Sequence, residues 1–379
     1  MIYLHVPFCR SFCTYCDFYS ERCTRDDGRF DTFVDAIAAE IRSRREEIAA
    51  CLAAPDNVDT WYIGGGTPSV LPLSVFRRLC GLLGEAAPRG TGEFTVEVNP
   101  EDIVEKGPAY VLGLVEAGVN RISMGVQSLD DGILRWMNRR HDAARAAAAF
   151  RLLRSFPVDI SVDLIFGLPQ CSDDLWKETL DRVLNPSGGL RPPEHISAYQ
   201  LTLEAGSALG VRAAKGQWQE ATEEQCRRQY DLLCDALGRA GYRHYEVSNF
   251  ALPGHEAVHN SAYWRRVPYI GLGPGAHSLL ASPDGIPCRR CWNSCQVTDY
   301  AREGEILSEE DVRTERIMLG LRTDTGLPEA SLRALTAPGA VDRLLASGAL
   351  AYAGTAPDRR IRIPESHFFT SDAILLELV

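Results

Sequence analysis

The sequence lacks both a long hydrophobic run and an excess of positive charge. No stretch approaches the roughly twenty apolar residues that a helix needs to cross a bilayer. The amino-terminal segment MIYLHVPFCRS has none of the cationic, apolar and cleavage regions of a signal peptide. Forty basic and 51 acidic residues among 379 give a net charge of −11, which disfavours nucleic acid as a partner. These features predict a cytoplasmic protein, at most peripherally attached to the inner membrane face.

Cysteine, by contrast, is plentiful and clustered. The chain has twelve cysteines, and in a cytoplasmic protein of this size they indicate metal binding, catalysis or burial, since disulfides are rare there. Cys9, Cys13 and Cys16 fall within eight residues, and a second group lies within another eight, at Cys288, Cys291 and Cys295. The scattered cysteines are expected to be small buried hydrophobic residues.

Apolar segments alternate with helical segments across the first two hundred residues. The predicted strands are 2–6, 58–63, 94–98, 121–125, 160–166 and 195–201, with helical spacing of apolar residues between them. Six strand–helix units in a row predict a parallel sheet, either open and doubly wound or closed into a full or partial barrel. Glycine-rich and polar residues follow most of these strands, which favours a barrel with a single site at the carboxyl ends of its strands.

The expected fold class is therefore α/β: a partial (β/α)6 barrel of the TIM type, followed by a small, mainly helical C-terminal domain. We place the barrel at 1–225, an extension at 226–300 and the C-terminal domain at 301–379. A helix at 223–240, a strand at 243–247 and helices at 311–321 and 340–346 are predicted in the later part.

The amino-terminal cysteines form the pattern C-x3-C-x2-C directly after the first strand. This spacing lets a loop present three thiolates to three irons of a cubane iron–sulfur cluster, leaving the fourth iron open. A zinc site normally needs a fourth protein ligand, for which His5 is a poor candidate. Three ordinary thiols are the remaining alternative.

The segment YLHVPFCRSFCTYCDF resembles the signature of radical S-adenosylmethionine (SAM) enzymes, including Tyr15 before the third cysteine. The resemblance implies that Cys9, Cys13 and Cys16 ligate a [4Fe-4S] cluster. In that family SAM chelates the open iron, and an electron from the cluster cleaves SAM to a 5′-deoxyadenosyl radical. The cofactor carries the difficult chemistry while the protein holds and orients it.

Further positions resemble the SAM pocket of the same family, in the same order along the chain. Any one of these residues could instead be a surface charge or a polar group inside the barrel. A shared binding site is favoured because they occur in the same order along the chain as in that family. The resemblance implies that the cofactors are bordered by Tyr3, Tyr15, Gly65, Gly66, Thr67, Glu97, Gln127, Arg139 and Asp163.

Nearly the whole chain resembles the oxygen-independent coproporphyrinogen III oxidases and their relatives, the HemW-type heme chaperones. The oxidases carry a further cysteine two positions after the third, where this chain has Phe18. They also carry a long N-terminal extension, whereas this chain begins two residues before Tyr3. Both differences favour the heme chaperone branch over the oxidases.

The segment HNSAYW matches the HNxxYW motif of the HemW branch, which the resemblance associates with heme. A neutral imidazole is a good axial ligand for heme iron, so His259 is the candidate heme contact. Alternatively, His259 satisfies a backbone group while Tyr263 and Trp264 fill the open side of the barrel.

We therefore expect a heme chaperone that binds a [4Fe-4S] cluster and SAM and transfers heme to an acceptor hemoprotein. The acceptor is expected to be a respiratory protein, which in many bacteria is associated with the membrane. A homodimer is left open. The alternative is a radical SAM oxidase, decarboxylase or methyltransferase acting on a tetrapyrrole or another small molecule. No catalytic residue is assigned.

The second cysteine group, in PCRRCWNSC, also has the spacing of metal ligands. An auxiliary cluster, or a zinc site completed by His255 or His277, is one interpretation. The favoured interpretation is that these cysteines lie around a structural loop and bind nothing.

Overall fold

The computed structural model describes residues 1–281, 285–355 and 357–379. The strands in chain order are β1 (Ile2–Val6), β2 (Phe8–Cys9), β3 (Glu21–Arg22), β4 (Trp61–Gly65), β5 (Phe94–Val98), β6 (Arg121–Gln127), β7 (Asp159–Phe166), β8 (His195–Gln200), β9 (Arg243–Glu246), β10 (Asn249–Ala251), β11 (Ile270–Leu272), β12 (His277–Ala281), β13 (Pro287–Asn293), β14 (Arg302–Ile306), β15 (Leu327–Pro328), β16 (Ala351–Ala353) and β17 (Arg360–Arg362).

The helices surround these strands. They are α1 (Arg29–Ser43), α2 (Arg45–Leu52), α3 (Leu73–Ala86), α4 (Pro100–Glu116), α5 (Asp131–Trp136), α6 (Ala143–Leu153), α7 (Asp173–Leu184), α8 (Ala208–Ala214), α9 (Glu223–Arg239), α10 (Val258–Trp264), α11 (Glu309–Leu321), α12 (Glu329–Leu335), α13 (Ala340–Ser347) and α14 (Ser371–Leu376). Short 3₁₀ helices cover Pro68–Val70 and Glu365–Thr370.

The central sheet has nine strands in the order β11-β1-β4-β5-β6-β7-β8-β10-β9. The six strands predicted from the sequence are consecutive neighbours in it, and every pair among them is parallel. The predicted partial barrel is therefore confirmed. Because the strands are parallel, the loops that follow them meet at one edge, where a shared site can form. Strand β11 extends this set in parallel, whereas β10 and β9 run antiparallel at the other edge.

Burial of alternating apolar side chains holds the sheet to its helices. In α1 the residues at helical spacing, Phe33 and Ile37, are fully buried against the sheet, where Leu4 and Val6 are also fully buried. Burial of each such side chain contributes about 1.5–3 kcal/mol relative to exposure. The packing of α1 on β1 therefore fixes the strand that leads into the cysteine loop.

Helical spacing of apolar residues runs without a break over 30–52, but this segment forms two helices, separated at Arg44. The Arg44 side chain is buried and donates to the carbonyl of Gly271 at 2.6 Å and to Ser278 Oγ at 3.0 Å. It also pairs with the buried carboxylate of Glu40 at 2.8 Å. This network joins α1 to β11 and β12, contacts that apolar periodicity alone does not predict.

The later part of the chain contains more structure than the sequence indicated. The predicted helix and strand after residue 222 are α9 and β9, and β12, β13 and β14 form a separate antiparallel sheet. The C-terminal region is mainly helical, as predicted, with the small sheet β15-β17-β16 beside α11 to α14. The three-part division of the chain stays a prediction. Across the described ranges, every helix is too short or too polar to cross a bilayer.

Candidate functional site

A cavity of about 980 Å³ runs through the barrel from the cysteine loop toward the amino ends of β5, β6 and β8. Its volume lies at the upper end of the usual range for small-molecule sites. The sequence-predicted residues that line it are Cys9, Cys13, Tyr15, Cys16, Gly65, Gly66, Thr67, Glu97, Gln127, Arg139 and Asp163. Eleven of the thirteen assigned residues thus share one cavity, and Tyr3 and His259 lie outside its lining.

The cysteine loop is anchored at its base. Strand β2 pairs with β3 so that Cys9 lies opposite Arg22, which closes the loop between them. Phe8 is fully buried, with its ring edge-on to Phe30 and Phe33 at centroid distances of 5.0 and 5.5 Å. The loop is therefore held over the carboxyl end of β1, with its three cysteines facing the cavity.

The spacing of the three thiols suits a cluster better than a single ion. A tetrahedral zinc with Zn–S distances near 2.3 Å would hold sulfur atoms roughly 3.8 Å apart. Among the described side chains, the sulfurs of Cys9, Cys13 and Cys16 are not a set whose members all lie within 4.8 Å of one another. At least one pair of these sulfurs is therefore too far apart to bind one zinc ion together. The three residues would instead hold a [4Fe-4S] cluster, which when bound supplies one-electron reduction with one open iron.

Burial disfavours ionisation of two of the three thiols when no metal is bound. Burial raises the pKa of the Cys9 thiol, and it raises the pKa of Cys16 to about 11. Cys9 Sγ lies 3.3 Å from Thr67 Oγ1, and Cys13 Sγ accepts from Arg139 Nη1 at 3.4 Å. Coordination would therefore displace protons, while the hydroxyl and the guanidinium stabilise the charge that develops on sulfur.

The glycine turn after β4 brings the backbone against the cysteine loop. A Cβ at Gly66 would lie 2.8 Å from the carbonyl oxygens of both Val6 and Phe8. Gly65 has φ of +105°, and a Cβ there would lie 2.5 Å from the His5 ring. Only residues without a side chain allow this approach. The turn thus leaves its backbone free to border SAM, and the Gly65 N–H donates to Glu97 Oε2 at 3.1 Å.

Two carboxylates lie inside the barrel. Glu97 Oε1 accepts from the Tyr62 hydroxyl at 2.7 Å, and both oxygens of Asp163 lie 3.1 Å from Ser123 Oγ. Burial raises the pKa of Glu97 to about 7 and that of Asp163 to about 6. Both carboxyl groups therefore gain from a positively charged ligand, and SAM carries a sulfonium and an amino group.

Arg139 connects the cysteine loop to the two strands behind it. Its Nη2 donates to Asn99 Oδ1 and to the carbonyl of Gly125, each at 2.5 Å. In the part of the chain that the structure describes, nothing accepts from its buried Nε, so this donor is available to a bound ligand. Gln127 lies at a bulge in β6 with φ of +67°, a strained backbone conformation for this residue type. Both features support the predicted role of this edge in binding SAM.

The raised pKa values give a test of this electrostatic arrangement. Both acids hold their protons more tightly in the folded protein, so their contribution to stability is full below about pH 4 and is lost as pH rises through 6 and 7. We expect Glu97→Gln to reduce the fall in the free energy of unfolding of metal-free protein between about pH 5 and 8, by about 3 kcal/mol. Urea denaturation at several pH values measures this fall. Equal slopes for the two proteins would contradict the assignment.

Tyr3 lies behind the cavity wall. Its ring packs on Tyr62 at 6.0 Å, and its hydroxyl lies 3.0 Å from Nδ1 of His5. The other ring nitrogen of His5 lies 2.8 Å from the carbonyl oxygen of Tyr19, at the end of the cysteine loop. Tyr3 and His5 therefore form a hydrogen-bonded chain that links β1 to the end of the cysteine loop. The role of Tyr3 beside the cofactors was assigned from the resemblance and stays a prediction, and its contact with His5 was not anticipated.

His259 is fully buried, near the amino ends of β4 and β5. Its Nδ1 lies 2.9 Å from Thr60 Oγ1, and its Nε2 lies 3.0 Å from the Tyr263 hydroxyl. Burial lowers its pKa to about 3, so the ring is neutral. If Nδ1–H donates to Thr60, Nε2 carries the lone pair that accepts from Tyr263.

The helix of the HNxxYW motif closes the end of the barrel opposite the cysteine loop. The backbone N–H groups of Val258 and His259 donate to the carboxylate of Glu93 at 2.8 and 3.0 Å. Asn260 lines the cavity, and the His259 ring packs on Tyr62, which also lines it. His259 therefore lies one layer behind the wall of the cavity.

The second cysteine group does not converge. Cys288 and Cys291 are three positions apart on β13, and the pairing with β12 shifts register at Cys288. Cys291 is buried whereas Cys295 is exposed. Within the described parts of the chain, these three thiols are not a set of ligand atoms within 4.8 Å of one another. The geometry agrees with the favoured interpretation of a structural loop.

Several cavity-lining residues escaped the sequence analysis, although they follow a simple pattern. On four neighbouring strands, alternate positions facing the cavity are polar: Thr95, Glu97 and Asn99; Arg121, Ser123 and Gln127; Ser161 and Asp163; His195, Ser197 and Tyr199. Side chains alternate between the two faces of a strand, so polar residues at every second position indicate a polar cavity inside the barrel. This period of two is the signal that would have found them.

A partial parallel barrel with a three-cysteine loop, a glycine turn and interior carboxylates defines a protein of the radical SAM class. Residues 3–183 match the Radical SAM superfamily. The chain is 34% identical to the heme chaperone HemW of Mycobacterium tuberculosis, over 93% of this chain and 89% of that protein. It is 32% identical to the heme chaperone HemW of Lactococcus lactis, over 86% and 82% respectively. The chain belongs to the HemW family of radical SAM proteins.

The fold resembles a solved structure of the same superfamily. Coproporphyrinogen III oxidase (HemN) from Escherichia coli, described as a radical SAM enzyme, superposes with a TM-score of 0.77 at 21% identity, over 99% of this chain and 89% of that one. Membership of the radical SAM superfamily implies a [4Fe-4S] cluster and SAM as cofactors, and the cavity described above offers donors suited to both. Phe18, at the position of the oxidases' further cysteine, is 71% exposed at the cavity rim.

Proposed function

We propose that this protein is a heme chaperone, which binds heme and transfers it to an acceptor hemoprotein. The observation that carries the proposal is the similarity to the heme chaperones HemW at 31–34% identity, over 86–93% of this chain. The cofactors SAM and the [4Fe-4S] cluster occupy the cysteine-loop end of the cavity in this proposal. Thr67, Glu97, Arg139 and Asp163 orient SAM there.

The two ends of the cavity differ in a way that suits a porphyrin. At the mouth, Phe12 and Phe18 are 51% and 71% exposed beside the cysteine loop and can cover an apolar ring face. Deeper in, Arg121 and Thr95 are buried, and within the described ranges neither Arg121 Nη2 nor Thr95 Oγ1 has a hydrogen-bond partner. Unpaired buried donors of this kind favour an anionic group. Heme combines an apolar plane with carboxylate side chains.

Heme delivery requires a second protein. We propose a cytoplasmic chaperone whose acceptor is a respiratory hemoprotein, reached at the inner face of the membrane through peripheral contact. The exposed phenylalanines at the mouth lie where an acceptor would approach bound heme. A homodimer is compatible with this proposal, and sedimentation of the heme-free and heme-loaded protein distinguishes it from a monomer.

The proposal is tested by heme titration after anaerobic reconstitution of the cluster. We expect saturable binding in a fixed ratio to the chain and transfer to an apo-hemoprotein in a second step. The same samples are assayed with coproporphyrinogen III under reducing conditions. Formation of protoporphyrinogen without heme transfer would overturn the chaperone proposal in favour of the oxidase.

The role of His259 as the heme contact stays a prediction, and its surroundings allow a sharp test. Among the described side chains, the Tyr263 hydroxyl is the group within hydrogen-bond distance of Nε2, so displacing that ring would present the lone pair to heme iron. We expect His259→Ala to weaken heme binding about tenfold, equivalent to about 1.4 kcal/mol, and to change the axial-ligand spectrum. Tyr263→Phe, which removes the same hydrogen bond but keeps the imidazole, should bind heme at least as well as the unaltered protein. Equal losses in both variants would show that His259 only holds α10 in place.

A further inference from the structure

A second group of metal-ligating side chains lies outside the cavity, at the edge of the central sheet. It consists of Cys234 on α9, His244 on the edge strand β9, and Glu365 at the start of the 3₁₀ helix after β17. One ligand atom from each lies within 4.8 Å of the other two. None of the three lines the cavity of the cysteine loop. The group therefore joins the barrel to the C-terminal region without touching the cofactor site.

The distances within the group approach those of a tetrahedral metal site. His244 Nδ1 lies 3.9 Å from Cys234 Sγ and 3.1 Å from Glu365 Oε1. Zinc with bonds of 2.0–2.3 Å to nitrogen, oxygen and sulfur separates its ligand atoms by about 3.3–3.6 Å. The two distances from His244 each lie within about half an ångström of that range, and the Cys234 sulfur lies within 4.8 Å of the carboxylate. Thiolate, imidazole and carboxylate together are ligands typical of zinc.

The surroundings fix the imidazole as they do in metal sites. His244 is 6% exposed, stacked on Phe250 at 4.0 Å and in edge contact with Phe368 at 5.0 Å. Its Nε2 lies 3.4 Å from the carbonyl oxygen of Val247. A metal-bound histidine usually donates its other N–H to such a carbonyl, which leaves Nδ1 as the ligand atom.

One side of the group is open. The Glu365 side chain is 57% exposed, whereas His244 is buried and Cys234 is partly buried. An ion can therefore enter from the side of Glu365, and a water molecule can take the fourth position. With Nε2–H bonded to Val247, the Nδ1 lone pair faces the carboxylate at 3.1 Å, and a cation bound to both groups would satisfy them.

We propose that Cys234, His244 and Glu365 form a zinc site that fastens the C-terminal region to the edge strand of the barrel. The site is independent of the cysteine loop and of heme. In the metal-free protein, Nδ1–H donates to Glu365 instead, so the same contact persists in a weaker form. Zinc binding would add stability where α9, β9 and the last 3₁₀ helix meet, since a ligand that binds only the folded state stabilises it.

The test uses full-length protein with its iron–sulfur cluster reconstituted, so that Cys9, Cys13 and Cys16 are occupied. Zinc is measured after washing with a weak chelator, and cobalt is titrated as a spectroscopic probe. We expect about one zinc per chain, a sulfur-to-cobalt charge-transfer band, and a rise in Tm on zinc addition. Glu365→Gln and Cys234→Ala should each lose the zinc and the rise in Tm, and Cys234→Ala should also lose the band.

Two matched controls make the result specific. Cys226→Ala removes a buried cysteine from the same helix, and Cys295→Ser removes an exposed one; both should keep the zinc and the band. Because Glu365 is largely exposed, Glu365→Gln leaves the packing intact and reports binding without a folding defect. Zinc content and cobalt spectrum unchanged in Cys234→Ala, or no zinc retained by the unaltered protein, would overturn the proposal.

Discussion

Cys13→Ala should leave the purified protein without its iron–sulfur cluster. Three thiolates are needed to hold three irons, and Cys13 is also the thiol that accepts from Arg139 at 3.4 Å. We expect iron and sulfide per chain to fall at least about tenfold after anaerobic reconstitution, with loss of the brown charge-transfer absorption. SAM binding should fall with it, because the open iron is part of the SAM site.

Cys295→Ala is the matched control, since Cys295 is exposed and does not line the cavity. It should retain full iron content and SAM binding. If Cys13→Ala retained its iron and Cys295→Ala lost it, the cluster would have to be bound by the second cysteine group instead.

Gly66→Ala is expected to damage the SAM site without touching any ligand. An added methyl group would lie 2.8 Å from the carbonyl oxygens of Val6 and Phe8, which are backbone atoms and cannot rotate away. The strand leading into the cysteine loop must therefore shift, at a cost of about 2–3 kcal/mol. We expect a lower urea midpoint, and SAM affinity reduced at least about tenfold, which corresponds to about 1.4 kcal/mol.

The control is Gly81→Ala on α3, where an added Cβ meets nothing within 4 Å. This change should raise stability by roughly 0.5–1 kcal/mol, because alanine favours the helix, and leave SAM binding unchanged. Unaltered SAM affinity in Gly66→Ala would show that the glycine turn does not position the cofactor.

Much of the fold was predictable because its signals are local. The six parallel strands appear in the sequence as short apolar segments separated by amphipathic helices, and all six pair as expected. Strand β11 and the antiparallel strands β10 and β9 were missed as members of the sheet. Strand β9 was predicted as a strand, but its place in the sheet depends on pairing with β10. Strands β10 and β11 are three residues long, too short for periodicity to register, and they exist because neighbouring strands supply their hydrogen bonds.

The site was predictable to the extent that its residues follow strands. Eleven assigned residues line one cavity because parallel strands bring their carboxyl ends together. Arg121, Ser161 and His195 were missed because they lie on the strands themselves and face inward only by alternation. The break between α1 and α2 was missed for a related reason, since it depends on Arg44 reaching Gly271 far along the chain.

The sequence by itself predicted the three clustered cysteines as cluster ligands, because thiols within eight residues can meet through a single loop, and it determined the parallel sheet that carries this loop. Only the tertiary structure decided which nitrogen of His259 is held by Tyr263, and that Cys234, His244 and Glu365 meet at one edge. Those contacts join residues from separate elements, and their distances follow from how the elements pack rather than from any spacing along the chain.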